Sequence, residues 1–212
     1  YVMPFSIDLD PSRYFNKKDY LKKKYNITNN FFYIPNQFWR HKNHYLIFNF
    51  LNKLLKNKEK YNMLPDFVFT GLSQDNRNKN FSNKLLDLMS LKKYDNKVKY
   101  LGLVPLEDVY TLNANSIALI NPSFFEGWST TVEEAKSLGT KMLLSNIQIH
   151  KEQSPSALFF DPKNISNFHE TIFNFINDKK NIKNYKNLDE IKNYVEKRKV
   201  EYSIAIEKAF KF

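Results

Sequence analysis

Cysteine is absent from the 212 residues, which excludes disulfides, thiolate metal sites and cysteine nucleophiles. A reducing compartment is compatible with that absence. Glycine is scarce too, with four residues in the whole chain, so the places that receive its backbone freedom stand out. No apolar run approaches the ~20 residues that span a bilayer, and the first residues lack the charged stretch and apolar core of a signal peptide. These absences point to a soluble or peripheral protein. Also missing are the phosphate-binding lysine loop, G-x-G-x-x-G and G-x-S-x-G, so no P-loop, dinucleotide fingerprint or hydrolase elbow organises the chain.

What is present describes a folded chain. Hydrophobic residues make up 42% and aromatics 16%, enough for a proper core in one large domain or two small ones. Lys and Arg outnumber Asp and Glu by 33 to 22, a formal net charge of +11, which brings a polyanionic partner into view. The lysines, however, scatter along amphipathic segments of a chain rich throughout in Lys, Asn, Ile, Phe and Tyr. That distribution favours a generally basic, solvated surface over a dedicated nucleic-acid face. A basic face toward anionic lipid headgroups or a phosphorylated substrate stays open.

Residues 1–16 carry two prolines and no amphipathic period and read as an extended linker. Asp8-Leu9-Asp10 has a spacing by which carboxylates hold a divalent ion, but Pro11 follows at once and no strand does, so a turn is expected. A short basic helix over 17–25 precedes a buried strand over 31–35. In the next helix Ile47, Phe50, Leu51, Leu54 and Leu55 form one apolar stripe. Strands at 66–70, 98–101, 116–120, 141–145 and 157–160 then alternate with helices at 81–91, 105–113, after residue 129, at 165–177 and from 182 onward. Such alternation indicates a parallel sheet covered on both faces. Gly71 and Gly102 end strands, Gly127 precedes a helix and Gly139 follows one. Three of the four therefore lie at the carboxyl edge of the sheet, where open α/β folds bind ligands.

Three loops at that edge hold chemistry-bearing residues. The central one lies in NPSFFEGWSTTVEEAKSLG, residues 121–139, where a glutamate, a glycine and three hydroxyls meet a helix start. The first N–H groups and the dipole of that helix suit an anion. Thr130-Thr131-Val132-Glu133 fits a capping box, which gives Glu133 a structural task. Glu134, four residues after Thr130, is left on the ligand-facing side and free to accept hydrogen bonds from a diol. Glu126 sits in the loop, seven residues intervening. On spacing alone, two surface glutamates remain the simpler description. After the first strand, Lys42 sits where a cation reaches an anion at this edge, with Gln37 and Arg40 in the same loop. His41 and His44 read as helix-start or partly buried groups and not as a metal pair, because no third ligand is spaced nearby. After the fifth strand, residues 145–153 offer His150 and Glu152 for closing the site, or else a loop that caps its own backbone.

The segments NPSFFEGWSTTVEEAKSLG, PNQFWRHKNH, FTG ending at Gly71, VKYLGLVP and LLSNIQIHKEQ all fall within residues 31–162. Together they resemble the second, donor-binding half of retaining glycosyltransferases of the GT-B fold, group 1 or family 4. The resemblance implies an α/β, Rossmann-like parallel sheet of about six strands with helices on both faces and a long C-terminal helix. It divides the chain into an interdomain linker and lead helix over 1–25, a nucleotide-sugar-binding domain over 26–180 and a helical segment over 181–212. By the same resemblance Glu126 bonds donor-sugar hydroxyls, Glu134 the ribose hydroxyls, and the N–H groups of Ser129, Thr130 and Thr131 the β-phosphate. Lys42 offsets leaving-group charge, and Lys99, Tyr100 and Leu101 lie by the base. Gln37, Arg40, Gly71, Ser123, Gly127 and Trp128 complete the donor site.

Most relatives carry an arginine five residues before the lysine, where this chain has Gln37. Charge stabilisation then falls to Lys42, the helix N-terminus and Arg40. The implied activity moves a hexose from a UDP-, GDP- or dTDP-linked sugar to a glycan or glycolipid acceptor in polysaccharide biosynthesis, with retention and with neither metal nor cofactor. The half that holds the acceptor is expected to be missing, leaving this chain alone inactive. Its expected place is the cytoplasm, or the inner face of a membrane as a peripheral protein, with no nucleic-acid partner. The alternative is a non-catalytic basic Rossmann-like module that binds nucleic acid or anionic membrane. An epimerase of the same two-domain fold is a third reading.

Overall fold

A computed structural model describes residues 7–73, 79–183 and 187–210. Six short strands form one sheet: β1 (Phe31–Ile34), β2 (Asp66–Phe69), β3 (Val98–Tyr100), β4 (Ala118–Asn121), β5 (Met142–Ser145) and β6 (Leu158–Phe160). Their order is β3-β2-β1-β4-β5-β6, and every pairing is parallel. Strands covered on both sides need apolar residues on both sides. FFYI, DFVF, ALIN and MLLS are accordingly buried at every position.

The helices are α1 (Lys18–Tyr25), α2 (His44–Leu54), α3 (Lys58–Asn62), α4 (Lys79–Met89), α5 (Leu106–Asn115), α6 (Thr130–Ser137), α7 (Gln148–Gln153), α8 (Ile165–Asn177), α9 (Lys179–Lys183) and α10 (Leu188–Phe210). Alternation along the strands assigns them to two layers. Phe32, Ile34, Phe67, Phe69, Ala118, Ile120 and Leu143 enter the larger core, built with α2, α3, α4 and α8. Phe31, Tyr33, Val68, Leu119 and Leu144 point the other way, toward α1, α5 and α6. The stripe read on α2 faces the larger core, with Ile47, Phe50, Leu51 and Leu54 buried. Helices α3 and α7 have no counterpart in the sequence reading; at five and six residues they are too short for a helical period to show.

Residues 7–16 do not run extended. The Asp10 carboxylate accepts from the Ser12 N–H at 3.0 Å and starts a 3-10 turn over Pro11–Arg13. Leu9 and Tyr14 pack against Ala114 and Leu138, so the segment lies on α5 and α6. Residues 1–6 of the expected linker fall outside the described residues. Helix α1 is pinned by one buried carboxylate: Asp108 on α5 accepts from Tyr20, Tyr25 and Lys24, each at 2.6 Å. Burial would raise its pKa, but the three donors outweigh burial and lower it. Helix α10 leans on the end of α6, where Gly139 at φ +56° forms a left-handed cap and a Cβ would stand 2.5 Å from Ile191 Cδ1.

The carboxyl ends of β1, β2 and β3 are knit together at Gly71. Its N–H donates to Gly102 O at 2.9 Å, and its carbonyl accepts from the Tyr100 hydroxyl at 2.9 Å. The backbone there has φ +129°, and a Cβ would come within 2.7 Å of Asn36 O. Because that neighbour is main chain, it cannot rotate away. Gly71→Ala is expected to lower the unfolding free energy by about 2 kcal/mol or more, from strain and clash together. Gly127→Ala, where a Cβ meets nothing within 4 Å, should change it by less than about 0.5 kcal/mol. Urea unfolding of the two variants measures the difference.

Candidate active site

In this strand order α2 and α6, the helices that follow β1 and β4, lie on opposite faces of the sheet, and the crevice of such a switch point is at the carboxyl ends of the two strands. The first two loops picked out by the sequence meet there. Phe124 N–H donates to His41 O at 2.8 Å, and Asn43 Nδ2 donates to Pro122 O at 3.1 Å and Pro162 O at 2.9 Å. Asn43 has φ +54°, a left-handed conformation that asparagine tolerates. It turns the chain from the 3-10 turn Arg40–Lys42 into α2.

This stitching brings Lys42 and Glu126 into a buried ion pair. Lys42 Nζ donates to the two Glu126 oxygens at 2.7 and 2.8 Å, and the side chains are 13% and 7% exposed. Glu126 Oε1 also lies 2.6 Å from Ser123 Oγ and 3.2 Å from Asn121 Nδ2. Ser123 Oγ is 2.7 Å from Asn121 Oδ1 as well, so its single proton serves two acceptors. Burial pushes the Glu126 carboxyl up, but Lys42, Ser123 and Asn121 together bring it below the ordinary value. A carboxylate with lone pairs to spare thus sits beside an ammonium with a third N–H, an arrangement that takes up hydroxyls and anionic oxygen side by side.

Helix α6 begins next to this pair. Ser129 is its N-cap, without a side-chain capping bond, and the capping box expected from Thr130 and Glu133 does not form. Glu133 instead lies in the second half-turn and is buried. It pairs with Lys136 at 3.0 Å and with Arg198 of α10 at 3.4 Å. The Ser129 N–H is already taken, donating to Gln153 Oε1 at 3.0 Å. The N–H groups of Thr130 and Thr131, in the first turn of α6, have no acceptor among the described residues and are orphan donors at the positive end of the helix.

Glu134 is half-buried and has no hydrogen-bond or ion partner among the described residues. Burial alone pushes its carboxyl up to about 7. Burial likewise raises the Tyr110 hydroxyl, and the Glu134 charge adds to that shift. Two glutamates eight positions apart therefore sit in opposite environments, one paired and ionised, the other unpaired and half protonated near neutrality.

The remaining expected residues divide into two groups. Gly71 and Tyr100 are tied together at the carboxyl ends of β2 and β3, and the Tyr100 ring rests on Phe38, in the loop after β1, with centroids 4.8 Å apart. Lys99 and Leu101 belong to the end of β3, two strands away from β1, and are half-buried. Gln37, Arg40 and Gly127 are exposed, and Gly127 lacks the positive φ that would require glycine. Trp128, Phe124 and Phe125 are exposed at 37, 44 and 67%, with His41 beside Trp39 and Phe125. His44 is buried under Phe38, and burial pushes it down to about 3, so it is a neutral core group. Among the described residues no three His, Asp or Glu side chains come together as a metal site.

Helix α7, read as loop from the sequence, supplies the layer behind the crevice. Glu152 is exposed, whereas His150 and Gln153 point inward. Ser145 Oγ donates to Ser123 O at 2.6 Å, and His150 Nδ1 lies 3.1 Å from Ser145 O. A carbonyl only accepts, so the His150 proton is on Nδ1. Asn121, Ser145 and Gln153 carry no recognisable spacing, and only their place in the fold reveals them.

The family model for glycosyl transferases group 1 matches residues 17–198. The O-antigen chain mannosyltransferase B of Escherichia coli is 33% identical over 69 residues, which cover 32% of this chain and 18% of that protein. Among solved structures, Anabaena HepE in complex with UDP and glucose superposes with a TM-score of 0.73 at 14% identity, over 96% of this chain and 55% of that one. A glycosyltransferase from Rickettsia africae gives 0.70 at 19% identity, over 93% and 52%. The chain thus spans about half the length of these structural relatives. With a family match that takes in β1 to β6 and both glutamates of the crevice, the chain belongs to the glycosyl transferases group 1 family.

Proposed function

We propose that this chain is the donor-binding domain of a retaining hexosyltransferase that uses a nucleoside diphosphate sugar. The observation that carries the reading is the Lys42–Glu126 pair lying beside the unpartnered Thr130 and Thr131 amides at the switch point of the sheet. In this reading the two amides and Lys42 hold the diphosphate, and Glu126 accepts from sugar hydroxyls. Glu134 accepts from the ribose diol, and Tyr100 lies by the base. Charge that develops on the departing phosphate meets fixed donors in a partly dry crevice, where they act strongly without reorganising. The acceptor oxygen attacks the anomeric carbon from the face that the phosphate leaves, and a phosphate oxygen takes the acceptor proton. No protein nucleophile and no metal ion enters this scheme. The acceptor is a glycan or glycolipid held by a second domain, and by itself this chain transfers nothing.

Calorimetric titration with UDP, GDP and dTDP tests the donor site. One of the three is expected to bind, Lys42→Ala to weaken it about tenfold or more through loss of a charge-assisted contact, and Glu134→Ala to weaken it several-fold. No heat with any nucleotide, together with an unchanged profile in Glu134→Ala, sinks the assignment.

The pH dependence follows from Glu134. A diol is best met by the carboxylate, so nucleotide affinity should rise as pH increases through about 7 and level off above it, with proton release visible in buffers of different ionisation enthalpy. Stability runs the other way. The folded carboxyl holds its proton up to about 7 against 4.5 when unperturbed, so the folded state binds more protons in that window and loses stability as pH rises through it. Glu134→Gln should therefore stabilise the chain more at pH 8 than at pH 5 in urea unfolding, and should abolish the proton release.

A further inference from the structure

A helix that is to present its first amides to a phosphate needs its cap residue held in one orientation. Ser129 does not do this for itself, because its hydroxyl makes no capping bond and instead meets Asn121 Nδ2 at 3.3 Å and Thr131 Oγ1 at 3.0 Å. What holds the Ser129 backbone is the side-chain amide of Gln153. Gln153 Oε1 accepts from Ser129 N–H at 3.0 Å, and Gln153 Nε2 donates to Ser129 O at 3.1 Å, a two-point grip on one residue.

The Ser129 N–H only donates and the Ser129 carbonyl only accepts, so they set which way round the Gln153 amide sits, and Glu133 holds it there. Glu133 Oε1 receives Gln153 Nε2 at 3.1 Å. A carboxylate only accepts, so the amide nitrogen must face it and the amide oxygen must face the Ser129 N–H. Glu133 is fixed in turn by Lys136 and by Arg198 of α10. Ser129, Glu133 and Gln153 are 4, 2 and 4% exposed, so water offers no substitute partners.

We propose that Gln153, held by Glu133, is a positioning residue that sets the phosphate-binding amides of α6. By occupying the Ser129 N–H, it directs diphosphate to the Thr130 and Thr131 amides. By fixing the Ser129 carbonyl, it leaves the Ser129 hydroxyl to join Asn121, which also touches Glu126. The phosphate end and the sugar end of the crevice then share one support. The inference rests on the donor reading above and adds residues that the sequence did not single out for it.

The test compares the tightest-binding of UDP, GDP and dTDP with its own nucleoside, titrated against the unsubstituted chain, Gln153→Ala and Glu133→Gln, with the Ser129 amide followed by NMR. A positioning role lowers diphosphate affinity about tenfold in Gln153→Ala, the worth of a buried hydrogen-bonding group, and leaves nucleoside affinity within about twofold. Glu133→Gln replaces the charged acceptor of Gln153 Nε2 with a neutral one and loosens the grip, and should give a smaller loss of the same kind with a shifted Ser129 amide resonance. If Gln153→Ala does not fold, Glu133→Gln carries the decision by the same ratio. Equal losses for diphosphate and nucleoside, or no loss for either, overturn the proposal while the donor reading stands. Failure of the unsubstituted chain to bind any of the three overturns both.

Discussion

Strand β4 pairs with β1 and not with β3, and the position of every group in the crevice depends on that pairing. After β3 the chain crosses back through α5 and starts outward again on the other side of β1. The helices that follow β1 and β4, α2 and α6, consequently run to opposite faces of the sheet, while the loops that lead into them meet at the strand ends. Elsewhere the sheet gives polar groups no room, since both faces are packed with apolar side chains. Charge and hydrogen-bonding capacity collect where the strands stop, and there the backbone itself contributes donors at the start of α6.

Within the crevice the environment, not the residue type, separates the roles of the two glutamates. Glu126 is ringed by Lys42, Ser123 and Asn121 and stays ionised in spite of burial. Glu134 has burial without partners and keeps its proton to near neutral pH. An isolated buried carboxylate is costly, and a ligand hydroxyl pair that satisfied it would remove that cost. The Lys42–Glu126 pair is different, because its charges already satisfy each other. It acts as a fixed dipole whose spare lone pairs and N–H remain open to a ligand.

Much of the fold could be read in the chain. The apolar runs at 31–35, 66–70, 116–120 and 141–145 declare doubly covered strands to within two residues, and the stripe Ile47, Phe50, Leu51, Leu54 and Leu55 declares the helix after the first of them. Short elements escaped, since α3 and α7 are too brief to show a period. At the site, Lys42, Glu126 and Glu134 were offered by the family motif, since on spacing alone two surface glutamates were the simpler description. The capping box at Thr130–Glu133 matched in sequence and failed in structure. Ser129 became the cap, one residue earlier, and the neighbours Lys136 and Arg198 offered Glu133 a stronger interaction than a backbone N–H. His150, Glu152 and Gln153 looked alike as polar loop residues until α7 turned two of them inward and one to solvent.

The sequence alone determined the class of fold and the edge of the sheet where polar loops gather, because hydrophobic period is a local property of the chain, and it offered Lys42, Glu126 and Glu134 through a family motif and not through spacing. Only the tertiary structure decided which groups are paired. Glu126 meets a lysine 84 positions away, Glu133 an arginine 65 positions away, and Ser129 a glutamine 24 positions away. Such partners are chosen by how the sheet and its helices pack. The ionisation of each carboxyl, and the amides of α6 left without an acceptor among the described residues, follow from that packing.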